Sequence, residues 1–575
     1  MRIGIDLLLV GALMFLGSCA SSYPEDHIFE TLAGDYVEDY LKMYPEAATE
    51  LGDHRYDDRL NDYSVAGVKA GIRYQKKYLK LLRRIDPDKL SDVNRVDYYI
   101  LKNQIEKSIY GLEELKEHEW NPLIYNVGGA IYNLVARDFA PLDERLRNLK
   151  SRLEMIPRVT AMAKANLKNP PRVHTETAIL RNEGTINLIE KQLDEFVEQV
   201  PKMEKQLNEA REKAVGALRY YGSWMENDLL PESKGEFRLG KKRFKMKLRL
   251  TLHSDMKMEG ILKKAEADLV ETQNAMFETA LPLVENPHRA GKPDTPEGRK
   301  RLIKQVLDSL AESHPTNETI VDKSRQCLEE CREFVLRHDL VDVPDEPIEL
   351  IVMPEFQRGV AVAYCDAPGP LEQEAETFFA ISPTPEDWSE ERSTSFFREY
   401  NDFMLHELTI HEAMPGHYLQ LAHANRFEAP TMIRAVFASG PFVEGWATYS
   451  EQLMVERGYG GPELKMQQLK MRLRMIINAI IDQKIHAEGM TEGEALALMM
   501  NEGFQEEGEA VGKWRRACLT STQLSTYYVG NIEVNEIRKA YESKYGPAAN
   551  LKKMHNELLS HGSPPPKYVR ELMGL

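Results

Sequence analysis

The chain has 575 residues, with 74 Lys and Arg against 91 Asp and Glu and a formal net charge of −17. That length exceeds one ordinary core and predicts two or more subdomains or one large helical body. A hydrophobic content of 42% with 29% charged residues is globular, the acidic balance excludes a nucleic-acid binder built on a broad basic face, and five Cys exclude a disulfide framework.

The first segment reads as an address. Arg2 precedes an unbroken run of apolar residues and Gly over 7–16, the length of a signal-peptide core and too short to span a bilayer. Leu16-Gly17-Ser18-Cys19 then resembles a bacterial lipobox. The expectation is a signal peptide over 1–18, cleavage before Cys19 and a lipid on that cysteine. An exported protein would follow, facing the periplasm and touching the membrane only through this anchor. The alternative is an ordinary signal peptide with an incidental cysteine. No interior apolar run approaches a membrane span.

Residues 19–295 read as an N-terminal helical region. In 91–116, Tyr98, Leu101, Ile105, Ile109 and Leu112 recur at helical spacing. Residues 184–227 and 255–283 are long, charged and poor in Gly, as amphipathic helices are. Pro287, Gly291, Pro293 and Pro296 suggest a boundary near 290–300, with 296–575 as a C-terminal catalytic region. Cys327 and Cys331 stand one helical turn apart, and two inert buried thiols are the commoner outcome for such a pair. A small sheet is predicted within 347–384 from short β-branched or apolar runs at 348–353, 360–364 and 378–381, punctuated by Pro and Gly. Helices resume after Pro383.

The chemistry concentrates in the helices of 401–455. His406, Glu407, His411, Glu412, His417 and His423 fall within eighteen residues. A hydrolytic zinc site needs neutral imidazoles and a carboxylate as ligands, an open position, and a nearby carboxylate as base. In the usual H-E-x-x-H the two His differ by about 40° around a helix. Here the spacings are five (His406 to His411) and six (His411 to His417), and neither pair shares a face on an undistorted helix. Only the second interval contains a helix breaker, Pro415-Gly416, so spacing leans to His411, Glu412 and His417. Glu444 and Glu451 lie on one face but about 10 Å apart, so both cannot contact one ion, and spacing leaves the choice between them even.

The segment HEAMPGHYLQ at 411–420 resembles the H-E-x-x-P-G-H-H-L-Q signature of a bacterial family known as domain of unknown function 885. That family is grouped with the gluzincin peptidases, alongside thimet oligopeptidase, angiotensin-converting enzyme and Taq-type carboxypeptidases. The resemblance extends to 90–106, 237–240, the EGWATY block at 444–449, 482–486, 527–530 and 555–562. Three departures stand out: Tyr418 replaces a second His, Lys484 replaces a Gly, and 516–523 keeps only Arg516 and Gln523 of its segment. The resemblance implies a mainly α, neurolysin- or Taq-carboxypeptidase-like body with a small β-sheet at the cleft. It implies His411, His417 and Glu444 as metal ligands, with Glu451 as the fallback. Glu412 would be the general base, and His406 and Glu407 supporting or surface residues. Tyr527 would donate to the oxyanion, or Tyr528 if the register slips by one. His486 and Arg516 would hold the oxyanion or a substrate carboxylate, and 360–364 would be an edge strand pairing with substrate. Zinc suits two His and one Glu with an open site, although Co or Mn could use the same ligands. The function so implied is an exported zinc metallopeptidase acting on short peptides. A non-catalytic helical lipoprotein binding peptides or envelope partners is the alternative, and an amidohydrolase acting on peptidoglycan stem peptides is a narrower third.

Overall fold

The structure, a computed structural model, describes residues 23–285, 295–353, 362–372, 376–386 and 388–575. The leader, Cys19, part of the expected boundary and the first residues of the expected 360–364 strand lie outside them. The fold is mainly α with one small sheet. Among the described residues no helix is long and apolar enough to cross a membrane.

The periodicity at 91–116 produces a helix over Asp92–Tyr110, capped by Ser91, whose side chain accepts from the Asn94 N–H, and followed by a wider turn over Gly111–Leu115. The amphipathic helical stretch at 184–227 is divided between two main helices, Arg172–Asn187 and Glu204–Trp224, with short helical pieces between. Pro201 accounts for the break: it offers no N–H to the ladder, and Val200 before it leaves the helical region at φ −128°, ψ 68°. The 255–283 pattern becomes Met258–Ala280, which tightens into Leu281–Leu283 where Pro282 enters.

The sheet has strands β1 (Ile348–Val352), β2 (Ala363–Asp366) and β3 (Thr377–Ile381) in the order β1-β3-β2. β1 runs parallel to β3 and β2 antiparallel to it, so β2 is an edge. It extends beyond the predicted run, to Asp366. Apolar cores are shared across residue 295. Phe244 and Ile261 pack with Ile476, Ile480 and Tyr528, and Met276 and Leu302 pack with Met466 and Leu473. Tyr36 and Leu101 share a core with Ile433 and Tyr568. The largest core joins β3 to the helices of 402–456 through Phe379, Ile381, Met404, Ile410, Trp446 and Tyr449. Six helices of this half position the site: α1 (Asp402–Glu412), α2 (His417–Asn425), α3 (Gly440–Glu456), α4 (Gly461–Gln483), α5 (Glu507–Leu519) and α6 (Ser525–Tyr545).

Candidate metal centre

Asn401 starts α1 by accepting the Met404 N–H at 3.2 Å. The helix is buried on nearly every side, which fixes its position and rotation. It ends at Glu412: Ala413 leaves helical geometry at φ −124°, ψ −74°, and the Thr409 carbonyl accepts from both Ala413 and Met414 at 2.9 and 3.0 Å. The Met414–Pro415 peptide is cis, and α2 begins at His417. The two extra residues are therefore absorbed by a full helix break. Gly416 is required there, because a Cβ would stand 1.9 Å from the His411 carbonyl oxygen. Trp446, fully buried on α3, donates its indole N–H to the Pro415 carbonyl at 2.7 Å and pins the turn. Tyr418, which stands where the second family His would be, donates its hydroxyl to the Glu346 carbonyl. The break brings the His411 and His417 rings to a centroid separation of 4.7 Å, with planes at 86°.

Glu444 reaches the same point from α3. This helix runs alongside α6 in nearly direct backbone contact: a Cβ on Gly445 would meet the Gly530 carbonyl carbon at 2.5 Å. Glu444 Oε2 lies 3.6 Å from His411 Nε2 and 3.5 Å from His417 Nε2. Those distances exceed good hydrogen bonds, and among the described residues Glu444 Oε2 and His417 Nδ1 are both buried without a hydrogen-bond partner. Ligand atoms about 2.1 Å from a tetrahedral ion stand about 3.4 Å from one another, so the triad fits a divalent cation between its tips. Glu451, seven residues on, does not join it. Its Oε1 sits 2.6 Å from His411 Nδ1, behind the ring, and fixes which nitrogen faces the site. The structure thus separates two carboxylates that spacing left equal.

The electrostatics match. Burial would raise the Glu444 carboxyl's pKa, but the two imidazoles overcome it and hold it well below the usual range. Burial would lower His411, but Glu444 and Glu451 hold it well above its ordinary value. A cation competes for the same electron pairs as that proton. Glu407, fully buried, is pushed well above the carboxylate range by burial and then by the neighbouring Glu451. His406 points elsewhere, its Nδ1 2.9 Å from the Tyr459 hydroxyl.

Glu412 accepts the Cys365 N–H at 3.1 Å from edge strand β2. Antiparallel pairing alternates, so Ala363 and Cys365 turn their main-chain groups outward, while Val362 pairs inward through the Ser382 N–H at 2.8 Å. Tyr527 accepts from Arg516 Nη2 at 3.1 Å and Gln523 Nε2 at 3.4 Å, which leaves its own proton to donate. Burial and then Glu444 raise its pKa, so it stays protonated. Tyr528 turns away and donates to Asp268 at 2.8 Å. His486 is placed in the interior, its Nε2 2.8 Å from the carbonyls of Ala517 and Thr520. One turn earlier, Asp482 accepts from the Thr522 and Ser525 amides at 2.8 and 3.1 Å, holding the entry to α6 and hence Tyr527. Sequence reasoning missed the supporting roles of Glu451, Gln523 and Asp482. Asp482 and Gln523 carried a signal, each lying within a family-like segment, and Glu451 stood only as the fallback ligand. Cys327 and Cys331 are free buried thiols.

Residues 45–573 match the family described as "Bacterial protein of unknown function (DUF885)". No curated protein matches the sequence. The solved structure of a "putative lipoprotein of unknown function" from Shewanella oneidensis is similar at 32% identity and a TM-score of 0.81, covering 95% of this chain and 100% of that one. A "putative lipoprotein" from Colwellia psychrerythraea, at 16% identity, shares the fold with a TM-score of 0.77 over 95% of this chain and 98% of its own. The match spans the helix break, the helices of the candidate site and nearly all of the helical body, and the chain belongs to the DUF885 family of bacterial proteins of unknown function.

Proposed function

We infer that this chain is a zinc-dependent, gluzincin-like peptidase acting on short peptides. The observation that carries the reading is the convergence of His411, His417 and Glu444 beside Glu412, with Glu444 Oε2 buried and, among the described residues, unpartnered. A divalent cation bound there supplies polarisation of a carbonyl and acidification of water. Glu412, next in sequence to a ligand, takes a proton at Oε2 from attacking water and returns it to the leaving amine. Its present partner, the Cys365 N–H, belongs to the strand whose outward groups suit pairing with an extended peptide. Tyr527 donates its hydroxyl proton to the oxyanion that develops on the scissile carbonyl. Glu451 holds His411 with Nε2 forward.

The purified protein is expected to bind one zinc and to digest a peptide library in a chelator-sensitive way. Glu412→Gln should keep the metal and lose about 10²–10⁴ in kcat. A variant that digests peptides as fast as the parent ends this mechanism, and an intact metal site with no turnover in the parent points to a binding lipoprotein instead. Export and lipid anchoring at Cys19 rest on the 16–19 motif and on the description of the Shewanella relative. Lipid labelling in cells should vanish in Cys19→Ser, and persistence of the label would refute the anchor.

A further inference from the structure

The connection from β2 to β3 is held by the N-terminal half at points the chemistry above does not use. A Cβ on Gly52 would stand 2.4 Å from the Glu372 nitrogen, and one on Gly369 would stand 2.3 Å from the Leu51 carbonyl carbon, so the two backbones touch. The Leu371 N–H donates to the Leu51 carbonyl at 2.9 Å. Nearer the strands, Arg137 donates to the Asp366 carbonyl at 2.7 Å and to the Glu376 carbonyl, with its guanidinium 4.8 Å from the Phe378 ring centre.

His54 closes this contact. Its Nδ1 lies 2.8 Å from Asp57 Oδ2 and its Nε2 2.9 Å from Glu372 Oε2, and its ring lies flat on Phe139 with centroids 3.5 Å apart. A neutral imidazole has one N–H and one lone pair, so it serves only one of two flanking carboxylates. Both contacts need the charged ring. Burial would lower its pKa, but Asp57 and then Glu372 hold it above its ordinary value.

The other charges around it are fixed in place. Asp53, paired with Arg55 at 2.6 Å, also feels the charge of the His54 ring. Arg152 stands 3.8 Å from Asp57 and feels Glu46, and Arg145 lies 5.8 Å from the Phe139 ring centre. Arginines hold their charge at any working pH, and imidazole is the side chain whose ordinary value lies nearest neutrality. From Glu372 the chain runs back six residues to Asp366, and Cys365 before it donates its N–H to Glu412.

We propose that charged His54 is a positioning residue for the substrate edge: by bridging Asp57 and Glu372 it holds the β2–β3 connection on the N-terminal half, and so fixes where Ala363 and Cys365 present their main-chain groups beside Glu412. The part that concerns substrate rests on the peptidase reading above. The clasp is whole below the ordinary imidazole value of about 6.5 and loosens as pH rises through the higher folded value.

The test is amide hydrogen exchange over 363–372 in the full metal-free protein between about pH 6 and pH 9, corrected for the intrinsic rate. Protection in the parent should fall about tenfold or more across that range, the scale of one hydrogen bond to a charged group. In Glu372→Gln the new side-chain amide donates to the lone pair at Nε2 while Nδ1–H still serves Asp57, so a neutral ring keeps both contacts and protection should stay level. Level protection in the parent overturns the proposal with no variant needed, and an equal fall in Glu372→Gln overturns it too. With zinc bound, the KM of the parent for a short peptide should rise over the same range relative to that of Glu372→Gln, with kcat moving less. A KM ratio that ignores pH sinks the substrate role. Level protection with chelator-sensitive cleavage sinks the clasp and leaves the peptidase standing. Protection that falls in the parent alone, with no peptide cleaved, sinks the peptidase and leaves the clasp.

Discussion

His411 and His486 are both buried imidazoles with an acidic partner close in space, and both stand in segments that look like family motifs, yet they are used differently. His486 spends Nε2 on two carbonyl oxygens at 2.8 Å and is packed between Phe244 and Phe237. His411 has Nδ1 held by Glu451 while Nε2 faces Glu444 at 3.6 Å, too far for a good hydrogen bond, across from a second imidazole. The first ring ties down a loop and leaves a lone buried Nδ1 without a partner among the described residues, whereas the second converges with His417 and Glu444, whose ligand atoms and its own lie within 4.8 Å of one another, and Glu444 Oε2 there has no partner among the described residues. A single unpaired ring nitrogen in a packed interior points at nothing. Three ligand atoms held at one point without closing good hydrogen bonds on one another mark where a ligand belongs.

That contrast can be broken at the helix turn first. Gly416→Ala forces a Cβ into the His411 carbonyl and should cost about 3 kcal/mol or more, or shift His417 off the ion. Thermal unfolding with and without zinc reads this, and a variant that melts and binds metal like the parent would show the turn to be softer than its packing implies. Next, Glu451→Gln keeps an acceptor behind His411 but removes its charge. Zinc affinity should fall about 10- to 100-fold with little change in the metal-free melting curve, as competition with a chelating dye would show. Undiminished affinity would reduce Glu451 to packing. The smallest effect on the metal is expected from His486→Leu. It leaves the Ala517 and Thr520 carbonyls unpaired and should cost about 1–3 kcal/mol in denaturant unfolding with unchanged zinc binding. If instead zinc is lost as with Glu451→Gln, the two histidines are not distinct in role.

Local sequence carried a good deal of this. Helical spacing at 91–116, the β-branched runs before Pro383 and the breaker Pro415-Gly416 are all present as structure, because each depends on residues within a few positions of one another. The amphipathic helical stretch at 184–227 is divided at Pro201, which offers no N–H to the ladder and is itself a local signal. The edge strand was displaced toward Asp366, since which residues pair is set by β3 rather than by the run itself.

The sequence by itself determined that the chain is largely helical, that two imidazoles flank a helix break, and that a carboxylate follows the first of them. Only the tertiary structure decided that Glu444 meets both rings while Glu451 backs one, that Tyr528 turns away to Asp268 and leaves Tyr527 beside the site, and that His486 is spent on the backbone. The reason is geometric. Periodicity encodes which face of a helix a residue occupies, whereas the placement of α3, against α6 at Gly445–Gly530 and against the α1–α2 turn through Trp446, depends on residues far apart in the chain.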